Sequence, residues 1–134
     1  MSRLDELERI AREVIDCGYR IHRDLGPGLL ESAYEALMAS AIFRRGLDVR
    51  RQIPVSMNYE GVVVDNAFKI DLLVEGRLIV ELKSIERLGA VHGKQVLTYL
   101  RLMHLPLGLL MNFGQATFKD GLGRIANDYF GDIA

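Results

Sequence analysis

The stretch that decides the fold is Phe68-Lys-Ile-Asp-Leu-Leu-Val-Glu-Gly-Arg-Leu-Ile-Val-Glu-Leu-Lys-Ser-Ile85. Two runs rich in Ile, Leu and Val flank a short segment containing glycine, a pattern that predicts two β-strands joined by a tight turn. A turn centred on Gly76 puts Asp71 directly opposite Glu81, whereas a slip of one residue would send Asp71 to the other face. The stretch therefore predicts a hairpin with facing carboxylates.

Lys83 lies two residues beyond Glu81, on the same face of its strand. Facing side chains have Cβ atoms about 5 Å apart, so two carboxylates repel each other unless a proton or a cation lies between them. A divalent metal is the predicted occupant. Two alternatives stay open: a solvated ion pair between an acid and Lys83, and a buried ion-pair network without metal. Apolar residues on both faces favour a covered strand, where a charge needs a partner.

Length and composition predict a single domain over residues 1–134, since 49% of the 134 residues are hydrophobic. No stretch is long and apolar enough to cross a membrane, and the first residues are too charged for a secretory signal. We therefore expect a cytoplasmic protein. Cys17 is the single cysteine, which excludes an internal disulfide and a cysteine zinc cluster.

The formal net charge is −1, so the chain as a whole lacks the basic character of a typical nucleic-acid-binding domain. Binding of that kind would need local patches. One candidate is an arginine cluster, for which ordinary solvated charge is the alternative: Arg44, Arg45, Arg50 and Arg51. Lys69 and Lys83 add positive charge beside the acidic pair.

Two helices precede the hairpin. Apolar residues at steps of three and four predict the first over 4–25, with Ser2 as N-cap and Gly26-Pro27-Gly28 as terminator. The second is predicted over 29–45, with one apolar side formed by Leu30, Ala33, Leu37, Ala41 and Ile42. A neighbouring strip of this helix carries Glu31, Tyr34, Glu35 and Met38.

Glu31 has two interpretations. A carboxylate in the first turn is favoured by the positive end of the helix dipole. Alternatively, Glu31 is a third acidic ligand directed at the hairpin, and the sequence leaves both open.

The remaining segments complete a mixed sheet. Residues 49–59 predict a strand that Pro54 confines to an edge or a bulge, and Glu60-Gly61 is a turn into the next strand. A helix over 90–104 and a buried strand over 107–113 predict a crossover with parallel pairing. Residues 119–121 are a predicted turn, and 122–129 a short strand or terminal helix.

The predicted order is two helices, three strands, a helix and a strand, or ααβββαβ. This gives a mixed central sheet with a β-meander hairpin flanked by helices, in the α/β class at its border with α+β.

The acidic residues suit a hard cation. Asp71, Glu81 and Glu31, with the backbone carbonyl of Leu82, would provide oxygen ligands for Mg²⁺ or Mn²⁺. Lys83 would orient or deprotonate a water and neutralise charge in the transition state. Together, these residues could catalyse the hydrolysis of a phosphodiester bond.

One helical face beyond the hairpin bears on the same site. Gln95 and Tyr99 are one turn apart, so they could reach the hairpin together, or pack on the sheet as a polar pair.

Asp71 followed by Glu81-Leu82-Lys83 resembles the active-site signature of the PD-(D/E)XK nuclease superfamily, whose core is helix, three-strand meander, helix and strand. Gly28-Leu-Leu-Glu31-Ser-Ala-Tyr34 resembles the motif of the GxxExxY proteins, a bacterial and archaeal branch of that superfamily. The similarity continues through residues 22–28, 95–100 and 108–113. It implies a restriction-endonuclease-like core.

The resemblance also implies roles. Asp71 and Glu81 would bind the metal, Lys83 would assist the water, and Glu31 would complete the acidic cluster. The supporting residues would be Gln95, Tyr99 and Tyr34.

The chain departs from the pattern at two positions. Ile70 stands before Asp71, where the superfamily's name has proline, a position that varies among such enzymes. Arg20 stands where an acid is expected in this branch.

The expected function is a divalent-metal-dependent nuclease that hydrolyses DNA through a metal-activated water, with RNA as the alternative substrate. The second hypothesis is a non-catalytic module that keeps the fold and binds nucleic acid or a protein, which the near-neutral charge favours. A homodimer through the first helix would supply additional phosphate-contacting surface.

Overall fold

The computed structural model describes residues 2–127. Within that range the chain forms, in order, α1 (Arg3–Leu25), α2 (Glu31–Arg44), β1 (Val49–Tyr59), β2 (Val62–Val74), β3 (Leu78–Lys83), α3 (Ala90–Met103), β4 (Leu107–Asn112), α4 (Phe118–Gly121) and β5 (Leu122–Ala126). The predicted order ααβββαβ is confirmed for the first seven elements. The short α4 and the strand β5 follow them.

Helix α1 has both predicted ends. Its N-terminus is a capping box, in which the Asp5 N–H donates to Ser2 Oγ at 3.0 Å and the Ser2 N–H donates to Asp5 Oδ2 at 3.4 Å. It ends at Gly26, whose φ of 72° lies in the left-handed region that glycine adopts without strain. Gly18 is on its buried side, where a Cβ atom would lie 2.7 Å from the Phe118 ring.

Helix α2 is rotated relative to the prediction. Leu30 is 78% exposed and Leu37 is 38% exposed, so the predicted apolar side is wrong for these residues. The helix buries Tyr34 and Met38 instead. The Tyr34 ring stacks on Phe113 with centroids 4.4 Å apart, and this aromatic contact fixes the rotation of the helix.

The sheet is mixed and runs in the order β1-β2-β3-β4-β5. Neighbours are antiparallel except β3 and β4, which are parallel, so the predicted crossover pairing is confirmed. Strand β1 lies at an edge, as Pro54 predicted, and its pairing shifts between Val55 and Met57.

The C-terminal part differs in one detail from the prediction. Residues 119–121, predicted as a turn, belong to the single-turn helix α4, which Thr117 caps by accepting from the Asp120 N–H at 3.2 Å. The strand interpretation of the next segment is confirmed for β5. Residues 128 and 129 of that prediction lie outside the described range.

Both faces of the sheet are covered. Helices α1 and α2 pack with Leu78, Val80 and Leu82 on one face, and α3 packs with Ile70 and Ile79 on the other. Every residue of β4 is buried, as expected for a central strand. Among residues 2–127, no helix has the length and hydropathy needed to cross a membrane.

Candidate active site

The hairpin between β2 and β3 has the predicted register. Leu72 pairs with Val80, Leu73 with Ile79 and Val74 with Leu78. Left-handed φ values of 53° at Glu75 and 64° at Gly76 make the turn. Continued by one step, the same register puts Asp71 opposite Glu81.

Side chains replace the backbone ladder at Asp71 and Glu81. The Asp71 N–H donates to Glu81 Oε1 at 3.1 Å, and the Leu82 N–H donates to Asp71 Oδ2 at 2.9 Å. Each carboxylate thus accepts a backbone N–H from the opposite strand. The two acids therefore lie in the gap between the strands, held by neutral donors rather than by a cation.

Glu81 is an acid in an environment that opposes its charge. It is only 5% exposed. Burial, and then the charge of Asp71, raise its pKa to about 8, against the lowering effects of the Asp71 N–H and of Lys83. At neutral pH the Asp71–Glu81 pair therefore holds a proton or requires a cation.

The strands β1 and β2 are distorted beside this pair, so that the alternation of their side chains between the two faces of the sheet is interrupted. Ile70 packs with α3 whereas Leu72 packs on the α1 and α2 side, although residues two apart share a face in a regular strand. On the neighbouring strand Gln52 has a left-handed φ of 49°, a conformation that costs a non-glycine residue about 1–3 kcal/mol. The distortion lies where β1 passes Asp71.

A hydrogen-bonded chain, hereafter the Arg51–Asp71 chain, joins these elements. Arg51 donates to Glu35 Oε2 from Nε at 3.2 Å and from Nη2 at 3.1 Å. The Gln52 Nε2 group donates to Glu35 Oε1 and, at 3.2 Å, to Asp71 Oδ1. The sequence prediction missed Glu35 and Gln52 as site residues. The available signal was that Glu35 is one helical turn from Glu31, on the same face of α2.

A cavity of about 220 Å³ lies beside Asp71, and its lining residues are Glu31, Ser32, Glu35, Gln52, Asp71 and Leu82. Glu31 is the first residue of α2 and is exposed. Within residues 2–127 its side chain makes no hydrogen bond or ion pair. The structure therefore places Glu31 at the same cavity as Asp71 with its carboxylate uncommitted.

Lys83 and α3 flank the acids. Lys83 is partly buried at the end of β3 and makes no ion pair within the described range. Tyr99 packs with Ile70 and Ile79, close to the acids on both strands, and its ring stacks on Phe68 at 4.2 Å. Burial, then the charges of Glu81 and Asp71, raise the pKa of its hydroxyl. Gln95 is exposed and, among residues 2–127, forms no hydrogen bond.

Tyr34 is placed in the core rather than in the cavity. Its side chain is fully buried, and its hydroxyl donates to the Gly26 carbonyl at 2.5 Å and accepts from the Leu29 N–H at 3.3 Å. Gly28 between them has a φ of 120°, which favours glycine. These two motif residues shape the loop that leads into Glu31.

The donor set fits a hard divalent cation through two acids. No group of three or more His, Cys, Asp or Glu side chains in the described part of the chain is arranged to hold a metal ion, so Glu31 is not joined with Asp71 and Glu81 in one cluster. Mg²⁺, however, commonly binds proteins through one or two carboxylates, with waters and substrate phosphates as its other ligands. The Asp71–Glu81 pair supplies that number.

Comparison with known proteins identifies the family. A family model described as the PD-(D/E)XK nuclease superfamily matches residues 8–125. Comparisons with curated proteins and with solved structures gave no match. The mixed five-stranded sheet with helices on both faces is consistent with the restriction-endonuclease-like fold. The chain belongs to the PD-(D/E)XK nuclease superfamily.

Proposed function

We propose that the protein is a divalent-metal-dependent nuclease that hydrolyses phosphodiester bonds in DNA. The observation that carries this proposal is the Asp71–Glu81 pair, which lies in the gap between β2 and β3 and forms no ion pair within residues 2–127. A structural pair of this kind would gain from a basic partner, and none is bound to it in residues 2–127. A bound metal cation would supply the positive charge that the two acids lack.

Asp71 and Glu81 would hold the metal. The backbone carbonyl of Leu82 would be a further ligand. The N–H and C=O of a strand residue point to the same side, and the Leu82 N–H donates to Asp71, so its carbonyl is directed to the same side. Glu31, which lines the same cavity, would contribute to the metal site through a bridging water. When bound, Mg²⁺ or Mn²⁺ activates the attacking water and stabilises charge on the phosphoryl oxygens.

Lys83 would act on the water and on the transition state. By strand alternation it shares a face with Glu81, and its ammonium group is in no ion pair with the described residues, which leaves it available for the water. It can hold the water by hydrogen bonding and offset negative charge that develops on the phosphate. Tyr99 and Gln95 would position the substrate from α3.

Membership of the GxxExxY branch is part of the proposal. The loop geometry supports it, because Gly28 and Tyr34 have structural tasks whereas Glu31 has none in the described structure. A motif whose glycine and tyrosine shape a loop, and whose acid lines a cavity without a partner, is typical of a functional site rather than of a purely structural motif. DNA is the proposed substrate, with RNA as the alternative.

A non-catalytic binding module is the second candidate, and the arginine contacts favour it. Arg45 is bound to Glu13 and Asp16, and Arg51 is bound to Glu35, so much of the predicted basic cluster is neutralised. A nuclease with so little free positive charge needs phosphate contacts from elsewhere.

A homodimer would supply these phosphate contacts. The homodimer, the single-domain organisation and the cytoplasmic location stay predictions.

A cleavage assay tests the proposal. The protein is incubated with single-stranded, duplex and branched DNA, and with RNA, in the presence of Mg²⁺ or Mn²⁺. We expect cleavage that chelation of the metal abolishes and that Asp71→Ala or Lys83→Ala reduces by about 10²-fold or more.

The matched controls are Asp65→Ala, an exposed acid on the same strand, and Lys119→Ala, an exposed lysine on α4. Both should cleave like the wild type. The nuclease proposal is wrong if no substrate is cleaved, or if the Asp71 and Lys83 variants cleave as well as these controls.

A further inference from the structure

We propose that Gln52 is a positioning residue, which fixes the orientation of the Asp71 carboxylate by tying it, through Glu35, to helix α2. The inference rests on the proposed metal site at Asp71. It assigns a role to a glutamine on the edge strand, on the opposite side of Asp71 from α3.

The first argument is the direction of the Gln52 side chain. Arg51 and Gln52 are consecutive on β1, and consecutive side chains of a regular strand point to opposite faces. Here both side chains reach the same carboxylate, Glu35. The left-handed backbone at Gln52 makes this possible. A strained conformation that persists beside a cavity is a common mark of a functional position.

The second argument is the use of the amide. A glutamine NH₂ group has two hydrogens, and at Gln52 one faces Glu35 Oε1 and the other faces Asp71 Oδ1. A neutral amide can bridge two carboxylates without adding charge, whereas a lysine at this place would neutralise the acid that the metal needs. The two donors of Gln52 are thereby committed to this bridge.

The third argument concerns what remains free on Asp71. Its Oδ2 accepts the Leu82 N–H and its Oδ1 accepts Gln52. Each carboxylate oxygen has two lone-pair sites, so both oxygens are oriented by neutral donors and each still has a lone pair for a cation. Glu35 is itself 7% exposed and accepts two hydrogen bonds from Arg51, so the far end of the Arg51–Asp71 chain is also held in place.

Two substitutions separate the amide from the backbone. Gln52→Gly keeps the left-handed conformation and removes the side chain. Gln52→Asn also tolerates that conformation but is one methylene shorter, so it cannot span Glu35 and Asp71. The matched control is Asn66→Gly, because Asn66 is also left-handed, at 53°, lies on the β2 side of the same pair of strands, and has no side-chain hydrogen bond within residues 2–127.

The readout is Mn²⁺ affinity of the whole chain, measured by titration calorimetry at pH 8, with thermal unfolding of the metal-free protein as a check of the fold. We expect both Gln52 variants to bind Mn²⁺ about 10- to 100-fold more weakly than the wild type. Asn66→Gly should keep the wild-type affinity.

The outcomes separate this inference from the nuclease proposal. Wild-type affinity in both Gln52 variants overturns the positioning role and leaves the nuclease proposal intact. A loss of affinity in a protein that cleaves no substrate supports the role and counts against the nuclease proposal. Equal losses in Asn66→Gly, or no Mn²⁺ binding by the wild type, overturn the positioning role.

Discussion

Two pairs of acids in this protein are treated in opposite ways. Glu13 and Asp16 on α1 share Arg45, at 2.8 Å and 2.6 Å, and Asp16 also accepts from Arg20 at 2.9 Å. Asp71 and Glu81 face each other in the gap between β2 and β3 and, within residues 2–127, accept hydrogen bonds only from neutral donors. Arginine side chains neutralise the α1 pair, whereas the hairpin pair depends on a proton or a bound cation.

The pKa values follow this difference. Hydrogen bonds from Arg45 and then Arg20 lower the pKa of Asp16, whereas burial and the neighbouring Asp71 raise that of Glu81. The α1 pair is half-exposed and explained by its own partners, so it has no need of a ligand. The hairpin pair is buried and has no basic partner bound to it in residues 2–127, so it requires a proton or a cation, and this combination is the basis of the proposed site.

Removing one acid from each pair should give the largest contrast. Glu81→Gln keeps the shape of the side chain but removes a proposed metal ligand, so we expect DNA cleavage to fall by roughly a thousandfold or more. Asp16→Asn removes an acid that is bound to arginines and should cleave like the wild type. Initial rates at fixed Mg²⁺ measure both, and equal rates in the two variants would erase the distinction.

The same two variants should change stability in opposite senses without metal. The folded-state pKa of Glu81, about 8, lies above the ordinary value of 4.5, so between these pH values the folded chain binds more protons than the unfolded chain. Its stability therefore falls as pH rises from about 4.5 to about 8. Glu81→Gln abolishes this fall and should be more stable than the wild type at pH 9, on the order of a few kcal/mol.

Asp16 has the reverse sign. Its folded-state pKa lies below 3.8, so its contribution is present above that pH and is lost as pH falls through the folded value. Asp16→Asn should therefore be slightly less stable than the wild type at neutral pH. Urea unfolding in the presence of a chelator, at pH 5, 7 and 9, measures both variants. A Glu81→Gln protein less stable than the wild type at pH 9 would contradict this account.

The hairpin was predictable because its information is local. The glycine turn at Gly76 sets the register, and the register alone brings Asp71 opposite Glu81. Glu35 and Gln52 were not predictable in the same way. They are separated by a helix end and a turn, and their contact depends on a left-handed residue inside a strand, for which glutamine gives no sequence signal.

The rotation of α2 shows a second limit. Apolar residues occur on two neighbouring strips of this helix, so composition favours the strip with Leu30 and Leu37. The structure buries Tyr34 instead, because Phe113, nearly eighty positions further along the chain, offers its ring face. Long-range packing of this kind overrides a local count of hydrophobic residues.

Metal binding should displace the proton of the hairpin pair. Burial and the charge of Asp71 raise the pKa of Glu81 to about 8, so the Asp71–Glu81 pair holds a proton at pH 7, and a metal ligand must be deprotonated. We expect Mn²⁺ binding to release close to one proton at pH 7 and almost none well above pH 8, with affinity falling about tenfold for each pH unit below 8. Calorimetry in two buffers of different ionisation enthalpy measures the release, and a pH-independent affinity would contradict the assignment of Glu81 as a ligand.

The smallest effect is expected for Arg45→Ala. This variant tests whether loss of a basic partner is sufficient to turn a pair of acids into a metal site. Arg45→Ala removes the partner that Glu13 and Asp16 share, which leaves Glu13 without an ion pair in residues 2–127 and Asp16 paired with Arg20 alone. These acids are about 40% exposed, and water screens their charges. We therefore expect a decrease in Tm of about 5 °C at most and no second Mn²⁺ site in calorimetry. Glu81→Gln combined with Arg45→Ala provides the control, because it removes the hairpin site and would expose any weak binding at α1. A Mn²⁺ site created at α1 would show that burial is unnecessary, and that loss of a shared basic partner is enough for two neighbouring acids to bind the metal.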